Sequence, residues 1–270
     1  MKQWEELRRG ALLHEDDNVL ILNKPPDISV MGERHGTDLV RMAAAEGEDL
    51  HPAHRIDKVT SGVIVLAKSI EAHGHLTRQF AKRTVDKRYL AIVVGQPVAL
   101  AGTIDLPLLT ASSGRIRVAA ERSSIAFDPE DQTWKVPPAA LLPKRNFDSI
   151  TRFRVAAEPG EGEDESSAAD NADQKPSDLT LLHLHPVSGR RHQLRVHLAW
   201  IGHPILGDPL FKSTSRAKDT QRTHLHALSI SIRLPGDEHP RRFRADPNAE
   251  FLSPVGISPE ALEEPDYARP

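Results

Sequence analysis

Residues 54–62, with the sequence His-Arg-Ile-Asp-Lys-Val-Thr-Ser-Gly, concentrate side chains that could take part in chemistry. Asp57 is the one carboxylate in this stretch, and the cations Arg55 and Lys58 flank it. Neighbouring cations favour the ionised form of a carboxylate, which is the form that a nucleophile or base requires. The spacing is also typical of a surface loop in which Asp57 caps a turn, and spacing alone favours that interpretation.

The elements around this stretch would position Asp57. The apolar, β-branched run at 63–66 predicts a buried strand, which would hold a side chain at its entry rigidly beside a cleft. Residues 18–23 predict a second strand, which must end at the following prolines because proline cannot donate to a strand ladder. Apolar residues at helical spacing predict helices over 37–50 and 71–82.

Two further segments carry candidate residues. Residues 87–95 predict a strand that contains Tyr89, one of only two tyrosines; from the residues alone, its ring would pack on the sheet. Residues 191–201 predict a helix after the polar sequence Ser-Gly-Arg-Arg-His-Gln at 188–193. Helical spacing would place His192, Arg195 and Ala199 on one face, so that Arg195 could point into a cleft beside an apolar face.

These motifs resemble those of the RluA-type pseudouridine synthases, whose catalytic signature is His-Arg-Leu-Asp-x-x-Thr-Ser-Gly; here Ile56 stands in place of Leu. The similarity extends over about residues 15–235. It includes Asn-Lys-Pro at 23–25, Lys-x-Tyr at 87–89, the segments 188–198 and 202–208, and Leu-His-Ala at 225–227. The chain departs from the family pattern at Pro26-Asp27, where Gly is usual, at Ser188 for Thr, and at Phe211 for Tyr.

The resemblance implies an enzyme that isomerises specific uridines in structured RNA. It implies an α+β fold, with a mixed, mainly antiparallel sheet flanked by helices and loops and with a central cleft. Asp57 would be the catalytic carboxylate, Arg195 its partner, and Tyr89 the ring that stacks on the uracil and whose hydroxyl helps in proton removal. The RNA contacts would come from four residues: Arg55, Lys87, Arg190 and His192. Lys24 lies in the first motif; its expected place is a solvated position beside a turn, and a role near the active site is the alternative.

The implied reaction breaks an N-glycosidic bond, rotates the base and rejoins it through carbon, which needs neither a cofactor nor ATP. A carboxylate at the anomeric carbon suits it, by analogy with glycosidases. The sequence leaves open whether Asp57 attacks the sugar or assists elimination to a glycal.

Composition and charge limit the alternatives. The 270 residues include no cysteine, no run of eighteen apolar residues and no apolar leader at the N-terminus, so a cytoplasmic protein without a membrane span is expected. Net charge is −3, but residues 158–178 carry eight acidic side chains and one lysine, and residues 246–270 carry six acidic side chains and one arginine. The rest of the chain therefore carries +9, which would attract RNA phosphates.

We expect one catalytic domain over residues 1–245, with a flexible acidic insertion at 158–178 and an acidic C-terminal tail at 246–270. The first motif begins too early for a preceding RNA-binding domain, so the catalytic domain itself would recognise a stem-loop in tRNA or ribosomal RNA. A monomer is the family default.

Two other functions compete with this one. A non-catalytic RNA-binding paralogue would lack Asp57, Tyr89 or Arg195, and all three are present. A metal-dependent hydrolase could use the histidine pairs 183/185 and 224/226, whose spacing suits one strand face, but no acidic residue stands at a familiar metal-motif offset.

Overall fold

The computed structural model describes residues 3–33, 38–157, 179–211, 220, 222–259 and 262. The predicted insertion at 158–178 lies outside the described residues. The chain separates into two compact units: unit 1 takes its residues from 1–89 and 225–247, and unit 2 takes its residues from 90–224 and 248–270.

Unit 1 is built on a mixed sheet. Its strands are β1 (Leu12–Glu15), β2 (Val19–Lys24), β3 (His51–Pro52), β4 (Ser61–Ala67), the start of β5 (Asp86–Val94), β13 (Leu225–Ile232) and β14 (Arg241–Arg244). β2 pairs antiparallel with both β1 and β4, β3 pairs antiparallel with β4, and β14 pairs antiparallel with β13. The pairing of β4 with β13 is parallel. All seven residues of β4 are buried, as expected for a strand covered on both faces.

Three helices cover the two faces of this sheet: α1 (Gln3–Ala11), α2 (Leu39–Ala45) and α3 (Ile70–Ala81). Alternate strand residues separate two apolar clusters, as the strand period of two requires. Leu76 of α3 packs in the cluster that contains Val63 and Val65, whereas α1 and α2 pack in the cluster that contains Ile64 and Leu66. α3 therefore covers one face of the sheet, and α1 and α2 cover the other.

Unit 2 has a longer run of strands. They are the end of β5, β6 (Ala101–Asp105), β7 (Leu108–Thr110), β8 (Ile116–Val118), β9 (Ala126–Asp128), β10 (Thr133–Lys135), β11 (Ile150–Ala157) and β12 (Leu179–Pro186). The order in the main sheet is β5-β12-β11-β6-β10-β9, and β7 and β8 form a separate antiparallel pair. β10 pairs parallel with β6, whereas β10 with β9, β11 with β12 and β11 with β6 pair antiparallel.

The described residues of unit 2 include two α-helices, α4 (Gln193–Trp200) and α5 (Ala249–Leu252). Short 3-10 turns lie at Arg122–Ser124, Pro138–Ala140 and Ser253–Val255. α5 shows that the start of the acidic tail is folded, since Phe251 and Leu252 are buried there. None of the helices in the described ranges is long and apolar enough to cross a membrane.

The α+β class with a mixed, mainly antiparallel sheet is confirmed, and so is the presence of the predicted strands and helices. The helix predicted over 37–50 is shorter, since α2 ends at Ala45. The prediction for α4 is wrong in detail. α4 starts at Gln193 instead of 191, and His192 precedes it with a left-handed backbone (φ 55°). His192 therefore does not share a helix face with Arg195, and seven of the eight α4 residues are buried rather than one side only.

Candidate functional site

Asp57 lies in the loop that joins β3 to β4, four residues before β4 begins. Its neighbours fix the loop: the Ile56 side chain is buried, and the Thr60 amide donates to the Asp57 carbonyl oxygen at 3.0 Å. Arg55 is exposed and Asp57 partly buried. The Lys58 ammonium forms an ion pair with Glu33 at 2.9 Å. A buried anchor beside a partly exposed carboxylate gives a rigid group that a ligand can reach.

His54 attaches the start of this loop to the sheet. The Val65 amide donates to its Nε2 at 3.1 Å, and its ring stacks on Phe80 with centroids 4.8 Å apart. Burial, with a smaller contribution from the charge of Lys87, lowers the pKa of His54 to about 3. The ring is therefore neutral at physiological pH, with Nε2 accepting, and it acts as an anchor of the loop.

Lys24, at the end of β2, is completely buried, so the expectation that it is a solvated lysine is wrong. Its ammonium donates to the carbonyl oxygens of Pro25 at 2.7 Å, Ile28 at 2.7 Å and Lys58 at 3.2 Å. Three carbonyl oxygens replace the water that an ammonium loses on burial. The third bond connects the turn after β2 to the residue next to Asp57.

We expect Lys24→Met to lower the free energy of unfolding by about 1–3 kcal/mol, because buried carbonyl oxygens lose their donor. It should also lower the turnover rate, since the loop beside Asp57 loses an attachment. Lys68→Met is the matched control: Lys68 pairs with Glu15 nearer the surface, where an ion pair contributes less than about 1 kcal/mol. Urea unfolding of both variants checks the prediction, and equal losses would contradict it.

Ser61 and His226 connect the Asp57 segment to β13. The two side chains hydrogen-bond at 2.8 Å through His226 Nδ1, and His226 Nε2 donates to the Ala245 carbonyl oxygen at 2.7 Å. A carbonyl oxygen only accepts, so in the neutral ring Nδ1 is the acceptor and Ser61 the donor. Next to this pair the backbones nearly touch: a Cβ at Gly62 (φ +105°) would lie 2.2 Å from the Ala227 oxygen. Only glycine fits there.

Tyr89 lies in β5, partly buried against the apolar cluster that contains Ile56. Burial, and secondly the negative charge of Asp57, raises the pKa of its hydroxyl far above the ordinary value. Asp57 is thus near enough for its charge to act on the phenol. The Tyr89 hydroxyl is protonated at neutral pH, and a phenol in this state donates a hydrogen bond.

Arg195 belongs to unit 2, where it forms a buried pair with Asp208. Its Nε lies 2.7 Å and its Nη2 2.8 Å from the two carboxylate oxygens, and both side chains are at most 3% exposed. The Asp208 carboxylate also accepts from the amides of Leu210 and Phe211, and the guanidinium lies over the Phe211 ring. This bidentate geometry fixes the orientation of the guanidinium.

A second buried network fixes helix α4. The Gln193 amide oxygen accepts from Ser188 at 2.8 Å and from the Arg190 amide at 3.0 Å, and its nitrogen donates to Ile150 O and Thr151 Oγ1. His197 bonds the same threonine at 3.0 Å. All of these polar groups are satisfied, so the network can hold the helix without a desolvation penalty. Within the family motif over 188–198, Ser188, Gln193 and His197 thus have a structural role.

The remaining predicted site residues divide between the units. Lys87 of unit 1 is partly buried, and burial lowers its pKa. In unit 2, Arg190 is partly exposed and its guanidinium lies over Phe147, as does that of Arg145. His192 packs edge-on against Phe211 with centroids 5.7 Å apart. Of the residues predicted for catalysis, the structure associates Asp57 with Tyr89 inside unit 1, and Arg195 lies in unit 2.

Several residues of the site make contacts that the sequence does not indicate. They are Lys24, His54, Ser61, His226 and Asp208. Each lies inside a motif but bonds to a residue distant in the sequence. Their positions inside the motifs are the only sign of a role that the sequence gives. Their hydrogen-bond partners can be identified only from the folded structure.

Within the described ranges, no three His, Cys, Asp or Glu side chains are placed to hold one metal ion. His226, a candidate ligand in the hydrolase interpretation, has hydrogen bonds at both ring nitrogens. Burial lowers the pKa of His224 to about 4.

Comparisons with known proteins agree with the geometry. A family model described as RNA pseudouridylate synthase matches residues 18–200. The dual-specificity RNA pseudouridine synthase RluA of Escherichia coli K12 is 31% identical over 238 residues, which cover 87% of this chain and 92% of that protein. The ribosomal large subunit pseudouridine synthase C of Vibrio vulnificus is 29% identical, covering 92% and 68%. The solved structure of human RNA pseudouridylate synthase domain containing 4 has a TM-score of 0.69 at 25% identity and covers 97% of both chains.

Proposed function

The chain belongs to the RluA-type family of RNA pseudouridine synthases, isomerases that act on uridine in RNA, and from that premise we propose that Asp57 is its catalytic carboxylate. The observation that carries the proposal is the relation of Asp57 to Tyr89. A carboxylate on an anchored loop lies near enough to a partly buried tyrosine to raise the pKa of its hydroxyl. The pair offers a nucleophilic oxygen and an aromatic face, which the sugar and the base of a uridine require.

In the proposed reaction, Asp57 acts at the anomeric carbon while the bond from that carbon to the uracil nitrogen breaks. The carboxylate either bonds to the sugar or assists elimination to a glycal; both routes use the same residue. The base then turns, its carbon bonds to the sugar, and the proton on that carbon leaves. The Tyr89 ring stacks on the uracil throughout. Its hydroxyl is protonated at the start, so it can accept that proton only while it passes its own proton on. The uracil nitrogen released from the sugar takes up one proton, so that the product is an isomer of the substrate.

The Tyr89 hydroxyl should stay protonated up to about pH 10, the ordinary pKa of tyrosine, because burial is the larger cause of its raised pKa. We expect ultraviolet titration of wild type minus Tyr89→Phe to show no phenolate signal at that pH. In Asp57→Asn the loss of the nearby charge should lower the pKa of Tyr89, which burial should still keep above its ordinary value. A phenolate signal near pH 9 in wild type would contradict this assignment.

We propose Arg195 as the partner of Asp57, as the family resemblance implies. Its support is the fixed orientation that Asp208 imposes, since a guanidinium already held by one carboxylate loses little freedom when it meets another.

Structured RNA is the proposed substrate, as a stem-loop of tRNA or ribosomal RNA in which the target uridine can be splayed out. Arg55, exposed beside Asp57, would fill the gap that the flipped uridine leaves. The stack of Arg145 and Arg190 on Phe147 offers two cations to phosphates. Lys87 and His192 are retained as proposed RNA contacts, although burial makes Lys87 a weaker candidate.

We further propose that residues 1–245 act as one catalytic domain, since both units carry family motifs. A monomeric, cytoplasmic enzyme without a cofactor completes the proposal.

Pseudouridine mapping of total cellular RNA, with and without this protein, tests the function. We expect one or a few pseudouridines to disappear without it and to return when the wild-type protein is added back. If purified protein forms no pseudouridine in any structured RNA fraction, the proposal fails.

A further inference from the structure

A polar groove lies between the second half of α3 and the segment that follows β13. Its volume is about 350 Å³, within the range of small-ligand sites. Three cations line it: Arg78 in the last turn of α3, Lys82 directly after that helix, and Arg233 directly after β13. Glu238 is the one carboxylate in the lining, so these four side chains together carry a charge of about +2 at neutral pH.

The three cations of this groove differ from four other cations of unit 1. Arg9, Arg41, Lys58 and Arg244 each form an ion pair with a carboxylate. Within the part of the chain that the structure describes, Arg78, Lys82 and Arg233 form none. The groove therefore brings three cations without a carboxylate partner to one concave place.

Three hydrogen bonds with side chains of α3 hold the backbone of Arg233. Gln79 Nε2 donates to the Arg233 carbonyl oxygen at 2.7 Å, and the Arg233 amide donates to Gln79 Oε1 at 3.0 Å. His75 Nε2 donates to the same carbonyl oxygen at 3.0 Å. The Gln79 amide thus pairs with Arg233 as a neighbouring strand would. A rigid backbone under an exposed arginine lowers the entropy lost when that arginine binds an anion.

Helix electrostatics explain only part of this arrangement. Cations in the last turn of a helix stabilise it, which is sufficient for Arg78 and Lys82. Arg233 is not on the helix, and the clamp formed by Gln79 and His75 holds it across the groove from those two. A site for a negatively charged group accounts for all three cations.

We propose that this groove binds a backbone phosphate of an RNA arm outside the target loop; the inference rests on the proposed function in that RNA is the ligand. α3 covers the sheet face opposite the cluster against which Tyr89 packs, so the groove is not part of the Asp57 site. Thr84 lines the groove five residues before Tyr89, at most ~17 Å along an extended chain. That length corresponds to roughly five phosphates of one helical strand. An arm attached to the target loop can therefore reach the groove around the edge of unit 1.

The test is the salt dependence of RNA binding. In Arg78→Gln/Arg233→Gln the slope of log affinity against log salt should fall by about 1, because the contact to one phosphate is lost. The dissociation constant should rise several-fold, and the turnover rate at saturating RNA should not change. The charge-matched control is Arg9→Gln/Arg244→Gln, which removes two cations that already pair with carboxylates; its slope should match wild type.

A minimal stem-loop RNA locates the contact. It lacks the arm, so wild type and the groove variant should bind it equally. The proposal is overturned if the slope of the groove variant equals that of the control, or if the two proteins differ on the minimal stem-loop. Lys82→Glu, an exposed single change, gives the same comparison if the double variant does not fold. If the wild-type protein forms no pseudouridine but the groove variant still has the lower slope, the groove proposal stands and the proposed function is rejected. If the wild-type protein forms pseudouridine and the slope of the groove variant is unchanged, the proposed function stands and the groove proposal is rejected.

Discussion

Asp57→Asn should lower the rate of pseudouridine formation on the order of 10⁴-fold, the upper end of what one positioned acid–base group contributes. The amide keeps the shape of the carboxylate but can neither attack the anomeric carbon nor act as a base. The loop should stay in place, because Ile56, Lys24 and the Thr60 amide hold it through atoms other than the Asp57 side chain. RNA affinity should therefore be retained. Single-turnover assays and binding measurements on the same preparation separate the two effects.

Asp27→Asn is the matched control for this experiment. Asp27 is exposed and has a left-handed backbone (φ 64°), a conformation that asparagine tolerates well. The same chemical change at this position should leave the rate within about twofold. Full activity of Asp57→Asn would exclude Asp57 as the catalytic carboxylate, and a loss of RNA binding in parallel with activity would indicate a structural role.

Asp208→Asn should lower the free energy of unfolding by about 3–5 kcal/mol, the usual cost of removing one partner of a buried ion pair. The arginine that remains, Arg195, is only 3% exposed and would keep its charge without its carboxylate. Asp246→Asn removes the carboxylate of another arginine pair, with Arg244, whose side chains are 34% and 65% exposed; it should cost less than about 1 kcal/mol. Urea unfolding compares the two variants, and equal losses would refute the prediction.

The dependence on pH provides a second check. Burial alone would raise the pKa of the Asp208 carboxyl, but hydrogen bonds and charge from Arg195 outweigh it, with help from two backbone amides, and hold that pKa below 3.8. A lowered pKa in the folded state means that the contribution to stability is complete above the unfolded value of about 4 and is lost as pH falls through the folded value. The difference in free energy of unfolding between wild type and Asp208→Asn should therefore be constant near neutral pH and should decrease at acid pH.

Much of the fold could be predicted because its strands and helices have clear periodicity. Local sequence predicts the secondary structure of three elements: the buried strand β4, the amphipathic helix α3 and the strand that contains Tyr89. The start of α4 could not be predicted. His192 has a left-handed backbone, and the next residue, Gln193, is held by buried hydrogen bonds to residues outside the helix. Local periodicity cannot anticipate a helix start that is set by tertiary hydrogen bonds.

The same reasoning separates the site residues that were predictable from those that were not. Asp57 and Tyr89 lie in short motifs whose residue types suit the chemistry. For Lys24 the sequence favours a solvated position, because a lysine after a strand is usually exposed. Its burial is possible only because three carbonyl oxygens from separate turns converge on one ammonium, a property of the folded chain.

The bond between Ser61 and His226 joins residues 165 positions apart, and it orders the events of folding. β4 cannot gain its parallel neighbour before residues 225–232 have left the ribosome. Contacts of such high sequence separation form slowly, because a long loop must close before they contribute. The segment after Asp57 is thus completed only when β13 has been made. A nascent chain that already carries the aspartate and the tyrosine lacks this strand, so we expect modification of RNA to require synthesis through residue 232.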